Sequence, residues 1–280
     1  MKIPFSHLFN AALCAALFAS VAHAGPLPRP DHIVVVVEEN HSYAQIMDKL
    51  NMNSYIHTLA KRGVLFTQSY GVTHPSQPNY LALFSGVTHG ITNDACPNTF
   101  DTDNLATRLL AGGLSFVSYA ESLPEVGDVT CMFGAYHRKH NPLSNWQGTR
   151  VTADLNKRFA DFPQDFSKLP TISFVIPNQD KDMHDGSFEA ADDWLKNHIA
   201  PYVDWAMKHN SLLILTWDED NYQADNHIVT ILVGPMLKAG KNAQRINHYN
   251  LLRTMLEFYD LPGLGASNDV EPISGVWKKY

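Results

Sequence analysis

Three short aliphatic runs, at residues 32–37 (HIVVVV), 171–176 (TISFVI) and 212–216 (LLILT), constrain the fold more than any other feature. Each is continuous rather than alternating, the pattern of a strand covered by helices on both faces. Each also releases into polar side chains: Glu38-Glu39-Asn40, Pro177-Asn178 and Trp217-Asp218-Glu219-Asp220. Helix-like stretches lie around 43–61, 78–85, 103–111, 188–209 and 248–260. Strands alternating with helices predict an α/β fold with a mostly parallel sheet. In such sheets ligands collect at the carboxyl ends of the strands, so Glu39, Asn40, Asn178, Asp218 and Glu219 are expected on one rim.

A chain of 280 residues, 45% hydrophobic and 18% charged, is ordinary for one large α/β domain with a sizeable core. It has no internal repeat, linker or low-complexity tract, although residues 94–164 read as a loop-rich excursion. The formal charge of -7 leaves no broad cationic surface, which argues against nucleic acid as a standing partner.

The N-terminus reads as an address. Lys2 precedes an apolar run from Leu8 to Val21 that ends in Ala22-His23-Ala24, an A-x-A-like cleavage site. The run contains Asn10 and is shorter than the roughly 20 residues a spanning helix needs. We therefore expect a signal peptide over 1–24, a single domain over 25–280 without a transmembrane segment, and a secreted or periplasmic protein. Cleavage removes Cys14 and leaves Cys96 and Cys131 in an oxidising compartment, where one disulfide is expected to fasten the excursion.

Ser76, in His74-Pro75-Ser76-Gln77-Pro78-Asn79-Tyr80, stands at the start of a helix pattern. It reads either as a serine N-cap or as a nucleophile, for the free N–H groups and positive dipole end there favour an alkoxide and an incoming phosphate. The oxygen-bearing side chains Glu39, Asn40, Asp218 and Glu219 would be costly to bury together without a cation. Such a set favours one divalent ion, Mg²⁺, Mn²⁺ or Ca²⁺, with Zn²⁺ also able to accept carboxylates. Among the histidines, His184 lies just beyond a strand end and is the preferred general acid or phosphate-binding imidazole. Lys139 and His140 would add positive charge for a phosphoryl group, whereas His227 precedes the apolar strand 228–233 and has packing as its alternative role.

Five blocks, in order, resemble the bacterial phosphoesterase family of secreted acid phosphatases and phospholipases C: Glu39-Asn40-His41-Ser42-Tyr43, His74 to Tyr80, Arg138-Lys139-His140-Asn141-Pro142, Pro177-Asn178 with Asp182-Met183-His184-Asp185, and Trp217-Asp218-Glu219-Asp220. The resemblance runs from about residue 31 to 262 and is strongest to the small secreted acid phosphatases, including the phosphatidylinositol 3-phosphate phosphatase branch. It implies an alkaline-phosphatase-like three-layer sandwich in which Ser76 is phosphorylated. Glu39, Asn40, Asp218 and Glu219 would hold metal with the serine oxygen. Apart from the resemblance, Asn79, Lys139 and Asn178 are the residues expected to bind substrate. Phospholipase C members carry Asp-Glu-His-Gly-Gly where this chain has Asp218-Glu219-Asp220-Asn221-Tyr222, which weakens the phosphodiesterase reading and a second metal with it.

The expected activity is phosphomonoester hydrolysis, on a small molecule or a phospholipid headgroup, through a phosphoserine that water then hydrolyses. The alternatives are a phospholipase C-type diesterase and a secreted anion-binding protein without catalysis.

Overall fold

The computed structural model describes residues 27–279; the candidate signal at 1–24, with Cys14, lies outside the described residues. Strands β1 (His32–Glu38), β2 (Val64–Tyr70), β3 (Phe116–Ala120), β4 (Met132–Phe133), β5 (Tyr136–His137), β6 (Asn156–Arg158), β7 (Ile172–Ile176), β8 (Ser211–Trp217), β9 (His227–Val233), β10 (Gly240–Asn242) and β11 (Ile246–Asn247) alternate with helices α1 (Tyr55–Arg62), α2 (Ser76–Ser85), α3 (Leu105–Ala111), α4 (Phe188–His198), α5 (Ala200–Ala206) and α6 (His248–Glu257). Nine strands make one sheet in the order β10-β2-β9-β8-β1-β7-β3-β6, with β11 also on β2, while β4 and β5 form a separate hairpin. Every pairing in the sheet is parallel except those of β9, which runs against β2 and β8. The mostly parallel α/β sheet is as expected.

Side-chain alternation along β1 divides the core into two layers. Ile33, Val35 and Val37 pack with Leu81 and Phe84 of α2, Leu105 of α3 and Leu252 of α6. Val34 and Val36 face Ile56 of α1, Leu195 of α4 and Val203 of α5. Helices thus cover both faces, which is why the central strands are buried, save His32 at the start of β1, and read as near-continuous apolar runs. Helix α2 is buried at all ten positions and ends at Gly86, whose φ of 73° closes the last turn through an N–H bond to Ala82.

Local structure departs from the sequence pattern in three places. The stretch 43–61 is not one helix: a π-helical turn over Gln45–Lys49 is followed by a break, and α1 starts afresh from Ser54, whose hydroxyl accepts the His57 N–H. The stretch 188–209 is divided at Ile199, with Pro201 in the first turn of α5, where its missing N–H costs nothing. The excursion at 94–164 is less irregular than expected, since it supplies α3 and the sheet strands β3 and β6. Within β3 the hydroxyl of Ser118 is buried and donates to Asn141 Oδ1 at 2.8 Å.

Cys96 and Cys131 are joined, with Cα atoms 5.8 Å apart and 35 positions between them in sequence. The bond ties the segment after α2 to the β4–β5 hairpin, and that hairpin runs directly into Arg138-Lys139-His140. No helix among the described residues is long and apolar enough to cross a membrane.

Candidate active site

The carboxyl ends of β1 and β8 are adjacent, with Glu38 in register with Trp217. Glu39 and Asn40 therefore leave the sheet beside Asp218 and Glu219, and Asn40 N donates to Asp218 Oδ1 at 3.1 Å. Alternation decides which of the two glutamates serves the site. Glu39 continues the odd-numbered face that packs on α2, whereas Glu38 shares the parity of the opposite layer, buried with both carboxylate oxygens unpartnered. Burial, reinforced by Asp182, Asp192 and Glu121, pushes the Glu38 carboxyl well above its usual range.

Helix α2 brings Ser76 to this rim. Pro75 is the cap residue and Ser76 the first helical one; no side-chain cap bond is made there. The hydroxyl instead faces three oxygens, Glu39 Oε2 at 3.0 Å, Asn40 Oδ1 at 3.2 Å and Glu219 Oε1 at 3.2 Å. One turn along the helix, the Tyr80 hydroxyl donates to Glu39 Oε1.

A hydroxyl has a single proton, so it can satisfy only one of those three acceptors. Asp218 Oδ2 is also buried without a partner. Turned over, the Asn40 amide would donate to Glu219, Glu39 and Ser76 at 3.0–3.2 Å. With its oxygen inward it adds a further acceptor to the group. The protein alone is short of positive charge here. Burial foremost, followed by mutual repulsion, raises the Glu39 carboxyl well above its usual range and takes Glu219 to about 9; burial likewise takes Asp218 to about 7. This all-oxygen donor set fits a hard divalent cation.

Histidines and a lysine close the other side. His140 is buried, its Nε2 3.2 Å from Glu39 Oε1 and its Nδ1 3.2 Å from Asp182 Oδ2. Burial, with Lys139, His184 and His137 nearby, pushes its pKa well below the ordinary value. His184 is more open, hydrogen-bonded to Asp185 at 2.8 Å, with its Nε2 3.3 Å from Lys139 Nζ. Glu39, His140 and His184 offer ligand atoms within 4.8 Å of one another and form a possible metal site.

Three expected site residues do other work. Asn79 spends its amide on the loop before α2, accepting from Val72 N and Thr73 N at 2.8 and 3.0 Å and donating to the Thr73 and Pro75 carbonyls. Asn178 organises its own turn, donating from Nδ2 to Ser122 at 2.9 Å and accepting from Asp180 N. His227 stacks between Tyr43 and Tyr70 and is hydrogen-bonded to the Thr67 carbonyl at 3.0 Å, with no contact to the oxygen cluster. Because β9 runs antiparallel, its first residue does reach the rim, but the ring is held in an aromatic stack.

Other residues join the site without having been singled out. His74 Nδ1 pairs with Glu219, and its ring lies 3.9 Å from that of Tyr222. Tyr80 and Asp182 belong here too; Tyr80 is four residues from Ser76 on a helix, a spacing that places both on one face. Asp220 stands where the diesterase pattern has histidine. Its carboxylate accepts from Tyr222 N, Ala224 N and Asn226 N at 2.7–3.1 Å, fixing the loop that carries Tyr222.

Comparisons with known proteins place the chain in a family and a fold. The model of the Phosphoesterase family matches residues 49–262. A phosphatidylinositol-3-phosphatase of Mycobacterium tuberculosis is 43% identical over 95% of this chain and 91% of its own. A probable acid phosphatase of Kluyveromyces lactis is 32% identical over 82% of this chain, which spans only 58% of that longer protein. The crystal structure of an alkaline phosphatase superfamily protein from Vibrio parahaemolyticus superposes with a TM-score of 0.56 over 84% of this chain and 68% of the other at 11% identity, a likeness of fold. The chain belongs to the phosphoesterase family and is a phosphoester hydrolase of the acid phosphatase kind.

Proposed function

We propose that the protein is an exported phosphomonoesterase in which Ser76 is the nucleophile. The observation that carries this reading is the position of the Ser76 hydroxyl: first residue of a buried helix, unused as a cap, and 3.0–3.2 Å from the Glu39 and Glu219 carboxylates and the Asn40 side-chain amide. Glu39, Asn40, Asp218 and Glu219 would hold one divalent cation, which supplies charge neutralisation for the phosphoryl oxygens and favours the serine alkoxide. The chain's own residues do the rest. Tyr80 fixes Glu39 from behind, and His140, buried between Glu39 and Asp182, keeps a ring nitrogen against each carboxylate. Lys139 and the N-terminal N–H groups of α2 receive phosphoryl oxygens. His184, open to solvent at the rim, donates the proton that the departing alkoxide needs. Water then attacks the phosphorus of the phosphoserine, restoring Ser76 and releasing phosphate.

A cation between Glu39, His140 and His184 is disfavoured by charge, because the Lys139 ammonium lies 3.3 Å from His184 Nε2. The reading is therefore of one metal. The substrate class extends to phospholipid headgroups, on the strength of the mycobacterial relative's name. A panel of phosphomonoesters and phosphodiesters, assayed with and without chelator, tests it. Chelator-sensitive turnover of monoesters supports the proposal; preferential turnover of diesters favours the phospholipase C reading, and stoichiometric phosphate binding without turnover favours an anion-binding protein.

A further inference from the structure

An acid stands where the substrate's phosphoryl group would be held. Asp94 Oδ1 accepts the Gln77 backbone N–H at 2.9 Å, in the first turn of α2 and one residue beyond Ser76. Its Oδ2 accepts from Lys139 Nζ, also at 2.9 Å. These are a helix N-terminal N–H and the nearest ammonium, the kinds of group that bind phosphoryl oxygens. Asp94 is also no mobile loop tip: Cys96, two residues on, is bonded to Cys131.

The groups facing Asp94 come from three directions: Lys139, with His184 behind it; the start of α2; and Glu219 and Tyr222 from the loop after β8, both of which feel the Asp94 charge. Adding a fully ionised phosphate to this neighbourhood sets it against Asp94. A phosphoryl group that retains one proton meets it differently. A carboxylate offers about four acceptor positions, of which the Gln77 and Lys139 bonds occupy two, so Asp94 can accept a further P–O–H donor. A phosphoryl ester loses its last proton near pH 6, so at acid pH that donor is present.

We propose that Asp94 is a specificity-determining residue that accepts a hydrogen bond from the singly protonated phosphoryl group and discriminates against anions with no proton to give. This rests on the phosphomonoesterase reading for its substrate but not for its test, which reads binding alone. Turnover would then favour acid pH through the substrate's own proton, and the same carboxylate would disfavour sulfuryl groups, which carry none.

Two probes of equal charge and similar shape separate the effect from simple electrostatics. At about pH 5, below the last proton loss of the phosphorus probe, phenylphosphonate is a monoanion with a P–OH, while benzenesulfonate is a monoanion without one. Calorimetric titration of the metal-loaded protein should show phenylphosphonate binding tighter by about tenfold or more, the scale of one charge-assisted hydrogen bond. Asp94→Asn should close that gap, and should lessen the loss of phenylphosphonate affinity when the pH is raised past its last proton loss. Asp94→Ser, which removes the carboxylate with less bulk, is the second variant should Asn misfold. Equal binding of the two probes by the wild type would overturn the proposal, and so would a gap that persists unchanged in either folded variant. If the wild type shows the gap yet turns over no phosphomonoester, the catalytic reading fails while the assignment of Asp94 stands.

Discussion

Ser76 Oγ lies 3.0 Å from Glu39 Oε2, although 37 positions separate the two residues in sequence. The contact exists because β1 ends on the same rim from which α2 departs, and because residue 39 continues the side of the strand that faces that helix. The consequences below follow from the crowding of oxygens around this pair.

Replacing a charged oxygen in the cluster should weaken metal binding without unfolding the chain. Asp218→Asn and Glu219→Gln are expected to lower metal content and turnover together, since a hard cation is held by ligand charge as much as by geometry. Elemental analysis beside a monoester assay checks this. A variant with full occupancy and full rate would remove its residue from the ligand set.

The number of metal ions is the next expectation. Lys139 beside His184 already supplies positive charge where the ligand atoms of Glu39, His140 and His184 come together. Titration of the metal-free protein with Mn²⁺ or Zn²⁺ should saturate at one equivalent at the activating site. Two tight equivalents, both needed for turnover, would assign the histidines as ligands instead.

The histidines should part company on substitution. His227→Phe keeps the stack with Tyr43 and Tyr70 and loses one hydrogen bond to Thr67, a cost of about 0.5–1.5 kcal/mol that stability measurements would register while turnover stays near wild type. His184→Gln should leave stability little changed and cut kcat by roughly 10²–10⁴, the usual range for a lost general acid, with a smaller loss for substrates whose leaving group needs no proton. The opposite pattern would exchange their roles.

How far these roles could be read from the sequence depended on the distance over which each contact is made. Continuous apolar runs ending in acids identified β1 and β8, and the strand-end rule then put Glu39, Asn40, Asp218 and Glu219 on one rim. The rule says which edge a residue reaches, not where its side chain points. Asn178 and His227 reach the edge and are then turned to Ser122 and into an aromatic stack. Tyr80 was accessible through helical spacing, whereas the pairing of His74 with Glu219 joins loops 145 positions apart and has no local signature. Strand β3 lies within the stretch read as a loop-rich excursion; its buried Ser118 donates to Asn141, and Tyr119 meets the Phe162 ring edge-on.

Reduction of the Cys96–Cys131 bond should lower stability by about 2–4 kcal/mol, through the entropy returned to the unfolded chain. It should also loosen Asp94 and so narrow the discrimination between phosphonate and sulfonate. Thermal denaturation with and without reductant, with thiols counted after denaturation, reads the first effect. Two free thiols in protein purified from an oxidising compartment would contradict the pairing.

The nucleophile itself is tested by Ser76→Ala. The Ser76 hydroxyl makes no cap bond, so its loss should not carry the roughly 0.5–2 kcal/mol penalty of a removed N-cap, and the variant should fold and melt much like the wild type. Turnover of a phosphomonoester should instead fall by orders of magnitude, because water must then attack the ester directly. The most direct measurement is acid quenching of the enzyme during turnover of a ³²P-labelled monoester, followed by peptide mapping. We predict label on the peptide that contains Ser76 in the wild type and none in Ser76→Ala. An unlabelled wild-type peptide together with near-normal turnover in a folded, metal-loaded Ser76→Ala would contradict the phosphoserine route and leave water as the attacking group.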